Sequence, residues 1–214
     1  MPSDPLILGF DTSAAHCAAA LLRGSTLLET RSEDMAKGQA ERLMPMLEEM
    51  LARHGIHWRD LTALGVGIGP GNFTGVRLSV SAARGLALAL RIPAIGVSLL
   101  EARALDLPRP LTVVEDARRG QVYAQHFGPD SAPELISLDQ LTVVAGALTG
   151  SAAGALGALL PGVPVLAAAL PLPVAIARIA AARYPHPQPR PAPLYLRAAD
   201  ASPPSDPAPL ILEG

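Results

Sequence analysis

Acidic residues that follow directly on short apolar segments are the first candidates for chemistry in this 214-residue chain. Asp11-Thr12-Ser13 comes after Leu6–Phe10, and Glu115-Asp116 comes after Leu111–Val114. A carboxylate at a strand end can hold a cation, and beside two hydroxyls it can help to hold a phosphate. Asp, Thr and Ser also close turns everywhere by bonding nearby backbone, so from these residues alone both readings stand. The third candidate is the turn Gly69-Pro70-Gly71-Asn72, which leads from apolar Leu64–Ile68 into Phe73-Thr74-Gly75-Val76-Arg77. There the spacing turns helical, and the orphan N–H groups of a helix start attract an anion when one is present. The same turn serves equally as a plain cap, with Asn72 or Thr74 supplying the side-chain oxygen.

Other chemistry finds less support. The histidines (His16, His54, His57, His126, His186) include one close pair, His54 and His57, around Gly55 at an expected helix end. That placement suits capping better than metal ligation, and neither HExxH nor HxxxH occurs, so no metal is expected. Cys17 is the single cysteine, lies in an apolar strand and reads as a small buried hydrophobe. No nucleophile-elbow motif supports a serine hydrolase.

The elements that must position these residues follow from periodicity. Leu6–Phe10, Ala18–Leu22 and Thr26–Arg31 read as strands of an antiparallel meander. Asp34–His54 reads as a helix with the apolar stripe Leu43, Met46, Leu47, Met50 and Leu51, Pro45 either kinking it or marking its regular start. The helix after the glycine turn carries Val76, Val80, Ala83, Ala87 and Leu90 at helical spacing, among many small residues. Ile92–Val97 completes a β-α-β order, and Ser98 caps a short helix to Leu105. Leu111–Val114 and Gln121–Phe127, around the turn Ala117–Gly120, repeat the opening pattern of strand, acid, turn and strand. Beyond Gly128, Leu138–Leu148 and Val163–Ala169 read as short strands or a helix start. Gly146–Gly157 reads as a strand-to-helix loop, Pro173–Arg183 as a helix and Ala201–Gly214 as an irregular tail. The domain reading is a first lobe at 1–106, a smaller second lobe at 107–192 and a C-terminal segment at 193–214.

Composition sets the bounds. Half the residues are hydrophobic but 3% are aromatic, so the core is built from Ala, Leu, Val and Ile. A net charge of −2 without a basic run argues against a large autonomous nucleic-acid surface, leaving a local patch open. The polar start Met1–Pro5 lacks signal-peptide character, and no apolar run of spanning length escapes Pro or Gly. The expectation is a soluble cytoplasmic protein with no membrane contact.

A resemblance sharpens this. Gly67, Gly69, Pro70, Gly71, Phe73, Thr74, Gly75, Arg77, Gly85, Leu86 and Ala87 closely resemble the signature of the TsaB (YeaZ) family. The blocks Gly9–Leu22, Val114–Gln125 and Pro193–Arg197 resemble the family's flanking segments. The resemblance is specific over about the first 128 residues and thin from Gly128 to Pro191. It implies an α/β fold of the actin-like ATPase/Hsp70/hexokinase (ASKHA) superfold, two βββαβα-type lobes with the second shortened. It further implies a non-catalytic partner subunit that binds and organises a TsaD-type transferase in forming N6-threonylcarbamoyladenosine at tRNA position 37. A TsaE-type ATPase would join the larger complex, and the chain alone would form a homodimer. The chain itself would require no cofactor, with ATP or ADP, where present, at a subunit interface; Asp11, Thr12, Ser13 and Asp116 are weak nucleotide candidates. The implied partner surface comprises Met35, Leu43, Met46, Leu47, Met50, Leu51, Val76, Val80, Ala83, Ala87 and Leu90, and direct tRNA contact is not expected. Gln39 stands where family members commonly carry His before Ser or Thr, so no acid-base role is assigned there. The competing expectation is a small ATP-dependent kinase or nucleotide hydrolase of the same superfold.

Overall fold

The computed structural model describes residues 4–128, 132–141 and 146–197. The expected tail at 201–214 lies outside the described residues, as does part of the stretch expected between Leu138 and Leu148. Strands β1 (Leu6–Asp11), β2 (His16–Arg23), β3 (Thr26–Asp34), β4 (Ala63–Gly67) and β5 (Ala94–Val97) form one sheet in the order β3-β2-β1-β4-β5. β1 is antiparallel to β2 and parallel to β4, and β4 is parallel to β5. The second sheet joins β6 (Leu111–Asp116), β7 (Gln121–Phe127), β8 (Glu134–Ser137) and β9 (Ala147–Thr149) in the order β8-β7-β6-β9. Its pairing directions repeat those of β3-β2-β1-β4 strand for strand. In place of a fifth strand, one parallel bridge joins Leu148 to Val165. The lobe is therefore duplicated and the second copy is shorter.

Helices α1 (Gln39–Arg53) and α2 (Phe73–Leu90) cover one face of the first sheet. α3 (Leu99–Ala104) follows β5, and α4 (Ala153–Leu159) packs on the second sheet. α5 (Leu172–Arg183) covers the opposite face of the first sheet, with Val174, Ala175, Ile176, Ala177 and Ala180 against Ile7, Ala20, Ala63 and Val97. It comes so close that a methyl carbon built on Gly9 would stand 2.8 Å from the Ala177 amide nitrogen. Chain order puts this helix in the second lobe, yet its burial belongs to the first. A sheet buried on both faces needs a cover on each, and α1 with α2 supplies only one.

The first helix starts at Gln39, not at Asp34, because β3 runs on through Asp34 opposite His16. Gly38, with φ of 89°, breaks the strand from the helix, and exposed Pro45 sits inside the helix without ending it. The larger correction concerns the expected partner surface. Leu43, Met46, Leu47, Met50, Leu51, Val76, Val80 and Ala83 are all buried, packed on Leu8, Phe10, Cys17, Leu21, Leu64 and Val66. Met35 and Ala87 are partly buried against the same cluster, and Leu90 is partly buried. Both stripes face the chain's own sheet, whose apolar side chains would otherwise meet water. The eight buried residues hold the lobe together and are not its outer surface.

Ion pairs pin α1 to the edge strand. Arg42 donates through Nε to Glu33 at 2.6 Å and through Nη1 to Glu49 at 2.7 Å, while Arg31 donates to Glu49 at 2.7 Å. The Arg42 hydrogen bond, then that of Arg31, pulls the Glu49 carboxyl from 4.5 to about 2, and Arg42 lowers Glu33 as well. A depressed carboxyl stabilises the fold above its unfolded pKa, and that contribution fades as pH falls through the folded value. The melting temperature should therefore drop on acidification from about pH 4.5 towards pH 2. Thermal melts should show a smaller acid drop in Glu49→Gln, and salt should shrink the difference, because the pair is half exposed.

Candidate functional site

The first acidic hairpin and the glycine turn prove to be one unit. Asp11, 1% exposed at the end of β1, accepts hydrogen bonds on Oδ1 from the Ser13 amide and the Ser13 hydroxyl, both at 2.9 Å. His16 Nε2 lies 2.8 Å from the same oxygen. Thr12, fully buried, donates its hydroxyl to the Gly75 carbonyl at 2.7 Å, and the Asn72 amide donates to the Ser13 carbonyl at 2.7 Å. Asn72 caps α2, accepting from the Gly75 amide at 2.9 Å. Ser79 reaches back from α2 to the Gly67 carbonyl at 3.1 Å. A methyl carbon on Gly75 would overlap the Thr12 carbonyl oxygen, and one on Gly67 would overlap Asp11 Oδ2. Here the signature glycines exist because the hairpin and the start of α2 touch backbone to backbone. Gln39 joins the same cluster, donating to the Ala14 carbonyl at 3.2 Å.

The turn also anchors the C-terminal segment. The Leu194 amide donates to the Ile68 carbonyl at 2.8 Å. Arg77 donates through Nε to the Tyr195 hydroxyl at 2.8 Å, with its guanidinium carbon 3.8 Å from the centre of the Phe73 ring. Thr74 is exposed and has no capping role.

The second acidic end is built differently. Glu115, 6% exposed, accepts from Arg103 Nε at 2.9 Å and from the Ser151 hydroxyl at 2.6 Å. Asp116 is exposed, its amide donating to Ser151 Oγ and its Oδ1 accepting from the Arg118 amide, both at 2.9 Å. Among the described residues no hydrogen bond or ion pair links Asp116 to Asp11. A cleft of about 290 Å³ lies between β2, β3, α3 and the start of α5, lined by His16, Thr30, Ser32, Arg103 and Pro171–Pro173. Sequence reasoning missed His16, Ser79 and Arg103. The first had a legible signal, since a hairpin turning within five residues brings positions 11 and 16 opposite each other. No group of three or more His, Cys, Asp or Glu able to hold a metal occurs among the described residues. Burial pushes the Cys17 thiol up to about 11, which makes it a poor nucleophile. Among the described residues no helix is long and apolar enough to cross a membrane.

Two lobes of repeated strand order, each opening on a hairpin with a carboxylate at the first strand's end, define a protein of the actin-like superfold. The fold agrees with component A of (R)-2-hydroxyglutaryl-CoA dehydratase from Acidaminococcus fermentans, 12% identical with a TM-score of 0.54 over 85% of this chain and 98% of that one. Residues 32–145 match the family model described as "TsaD: tRNA N6-adenosine threonylcarbamoyltransferase". The chain is 36% identical over 129 residues to the tRNA threonylcarbamoyladenosine biosynthesis protein TsaB of Escherichia coli (strain K12), covering 58% of this chain and 55% of that protein. It is 38% identical over 120 residues to the protein of the same name from Bacillus subtilis (strain 168), covering 55% and 52%. YeaZ from Pseudomonas aeruginosa superposes with a TM-score of 0.71 at 28% identity, over 90% of this chain and 100% of that one. The chain belongs to the family of that model, among its TsaB (YeaZ) members. The matches span about half the length of the curated relatives.

Proposed function

We propose that this chain is a non-catalytic partner subunit that binds and organises a TsaD-type transferase during formation of N6-threonylcarbamoyladenosine at tRNA position 37. The observation that carries this reading is the outward side of α2. Leu88 is 82% exposed there, Ser81, Gly85 and Ala89 are exposed beside it, and nothing stands within 4 Å of a methyl carbon built on Gly85. Small residues around one protruding leucine let a second helix approach closely. Exposed Met44 gives α1 an apolar contribution of its own. The partner surface thus keeps the helices first expected and exchanges their inner stripe for their outer one. Alone, the chain closes this side on a second copy; in the larger assembly a TsaE-type ATPase joins, all of it in the cytoplasm.

The hairpin speaks for a structural role over the kinase or hydrolase reading. Asp11 Oδ1 is fully engaged inside the chain, and Thr12 and Ser13 are held by α2 and its turn, so this side does not stand ready to receive a phosphate. Nucleotide, where it enters, belongs at a subunit interface. Co-purification with a TsaD-type protein, followed by a tRNA modification assay with and without this chain, tests the proposal. Modification should depend on the chain, and the chain alone should not turn over ATP. Turnover by the isolated chain, lost in Asp11→Ala or Asp116→Ala, would establish the enzyme reading instead.

A further inference from the structure

A patch of flat cationic and aromatic groups begins at the first turns of α2, where Phe73 and Arg77 are exposed eleven to fifteen residues, about 16–22 Å of helix, before Leu88. Phe73 and Tyr195 are 43% and 46% exposed, whereas the other Phe, Trp and Tyr side chains are buried or partly buried. Their ring centres are 5.2 Å apart at an interplanar angle of 33°. Arg77 lies over Phe73 and is held by its Nε bond to Tyr195, which leaves both Nη groups without a hydrogen bond among the described residues. Two residues beyond Tyr195, about 7 Å of extended chain, Arg197 Nη2 donates to the Ala117 carbonyl at 2.8 Å and to Gln121 Oε1 at 2.9 Å. The segment thereby ties the ring pair to the tip of the β6–β7 hairpin. Arg118 and Arg119 occupy that tip, both exposed, with φ of 63° and 54°. Neither side chain has an ion partner among the described residues, and Asp116, the acid of the turn, spends Oδ1 on the Arg118 amide.

We propose that Phe73, Arg77, Tyr195 and the Arg118–Arg119 tip form a docking surface for a single-stranded RNA loop. Aromatic faces stack bases of any sequence, and unpaired guanidiniums meet phosphates. An A-form duplex offers these rings no base face, because its bases are stacked inside, so the occupant is an unpaired loop. A protein partner finds its small-residue apolar contact at the other, C-terminal end of α2, around Gly85 and Leu88. The patch has the opposite character, with arginine concentrated in a chain whose net charge is −2. This inference rests on the tRNA-modification reading above and adds that this chain itself contacts the RNA.

Fluorescence anisotropy of the full chain with a labelled RNA stem-loop, against a fully paired RNA of equal length, tests it across a salt series. The stem-loop should bind more tightly, and Phe73→Ala or Tyr195→Ala should weaken it about tenfold with the salt slope kept. Arg118→Gln with Arg119→Gln changes only exposed side chains and should reduce the slope by about 0.7 for each arginine removed. Equal affinity for paired and unpaired RNA, or an unchanged slope in the double arginine variant, would overturn the proposal. Pull-down of the TsaD-type partner separates the two claims. A chain that holds the partner and ignores RNA defeats only this inference, and one that binds RNA but not the partner defeats the subunit reading.

Discussion

Gly75→Ala is expected to destabilise the chain by about 3 kcal/mol or more, the upper range for forcing an atom into a packed site. The added methyl group would overlap the Thr12 carbonyl oxygen, a backbone atom that cannot swing aside as a side chain would. The hairpin would have to leave α2, breaking the Thr12 bond to the Gly75 carbonyl and the Asn72 bond to the Ser13 carbonyl. Thr12 and Ser13 would then be buried with unmet donors and acceptors, which adds to the cost. Gly85→Ala, on the same helix with open space around it, is the control and should be neutral to stabilising by up to about 1 kcal/mol. Urea unfolding of the two variants reads the difference directly. Equal midpoints would mean that the hairpin and the helix start are not in contact in solution.

Leu88→Glu should cost assembly and spare the fold. At 82% exposure the leucine contributes little to the monomer, so its melting temperature should stay close to that of the unchanged chain. A carboxylate at the centre of an apolar helix contact would have to be buried unpaired, so affinity for a TsaD-type partner should fall by about a hundredfold or more. Met50→Glu should do the reverse. Its side chain is wholly enclosed between α1 and the first sheet, so the charge unfolds the lobe and assembly fails for want of a folded subunit. Calorimetry beside a partner pull-down separates the two variants. A Leu88→Glu chain that assembles normally would move the contact off the outer side of α2.

Much of the fold was legible because local pattern and burial agree in it. The opening meander, the β-α-β order around the glycine turn, Ser98 as a cap and the second hairpin all stand where alternation and turn residues put them. Beyond Gly128 the Pro173–Arg183 helix was legible to within one residue of α5, whereas the stretch before it was not, because β8, β9 and α4 are short and their apolar residues sit among prolines and glycines. The site divided along the same line. That the signature glycines form a turn leading into a helix could be read from residue types, while the partner across that turn, the Asp11–Ser13 hairpin, joins it over some sixty residues of chain.

By itself the sequence determined most strands and helices up to Phe127 and the α5 helix, that two lobes repeat one pattern, and through its signature which family the chain belongs to. Tertiary structure alone decided which side of each helix is free. Periodicity shows that α1 and α2 carry an apolar stripe, but a stripe reads the same whether it meets the chain's own sheet or another protein. The Met46–Leu51 and Val76–Ala83 stripes went to the sheet, because Phe10, Leu21 and Val66 needed covering. Leu88 was left outside. The placement of α5 on the first lobe has the same cause: an uncovered sheet face is satisfied by whichever apolar helix can reach it, whatever its position in the chain.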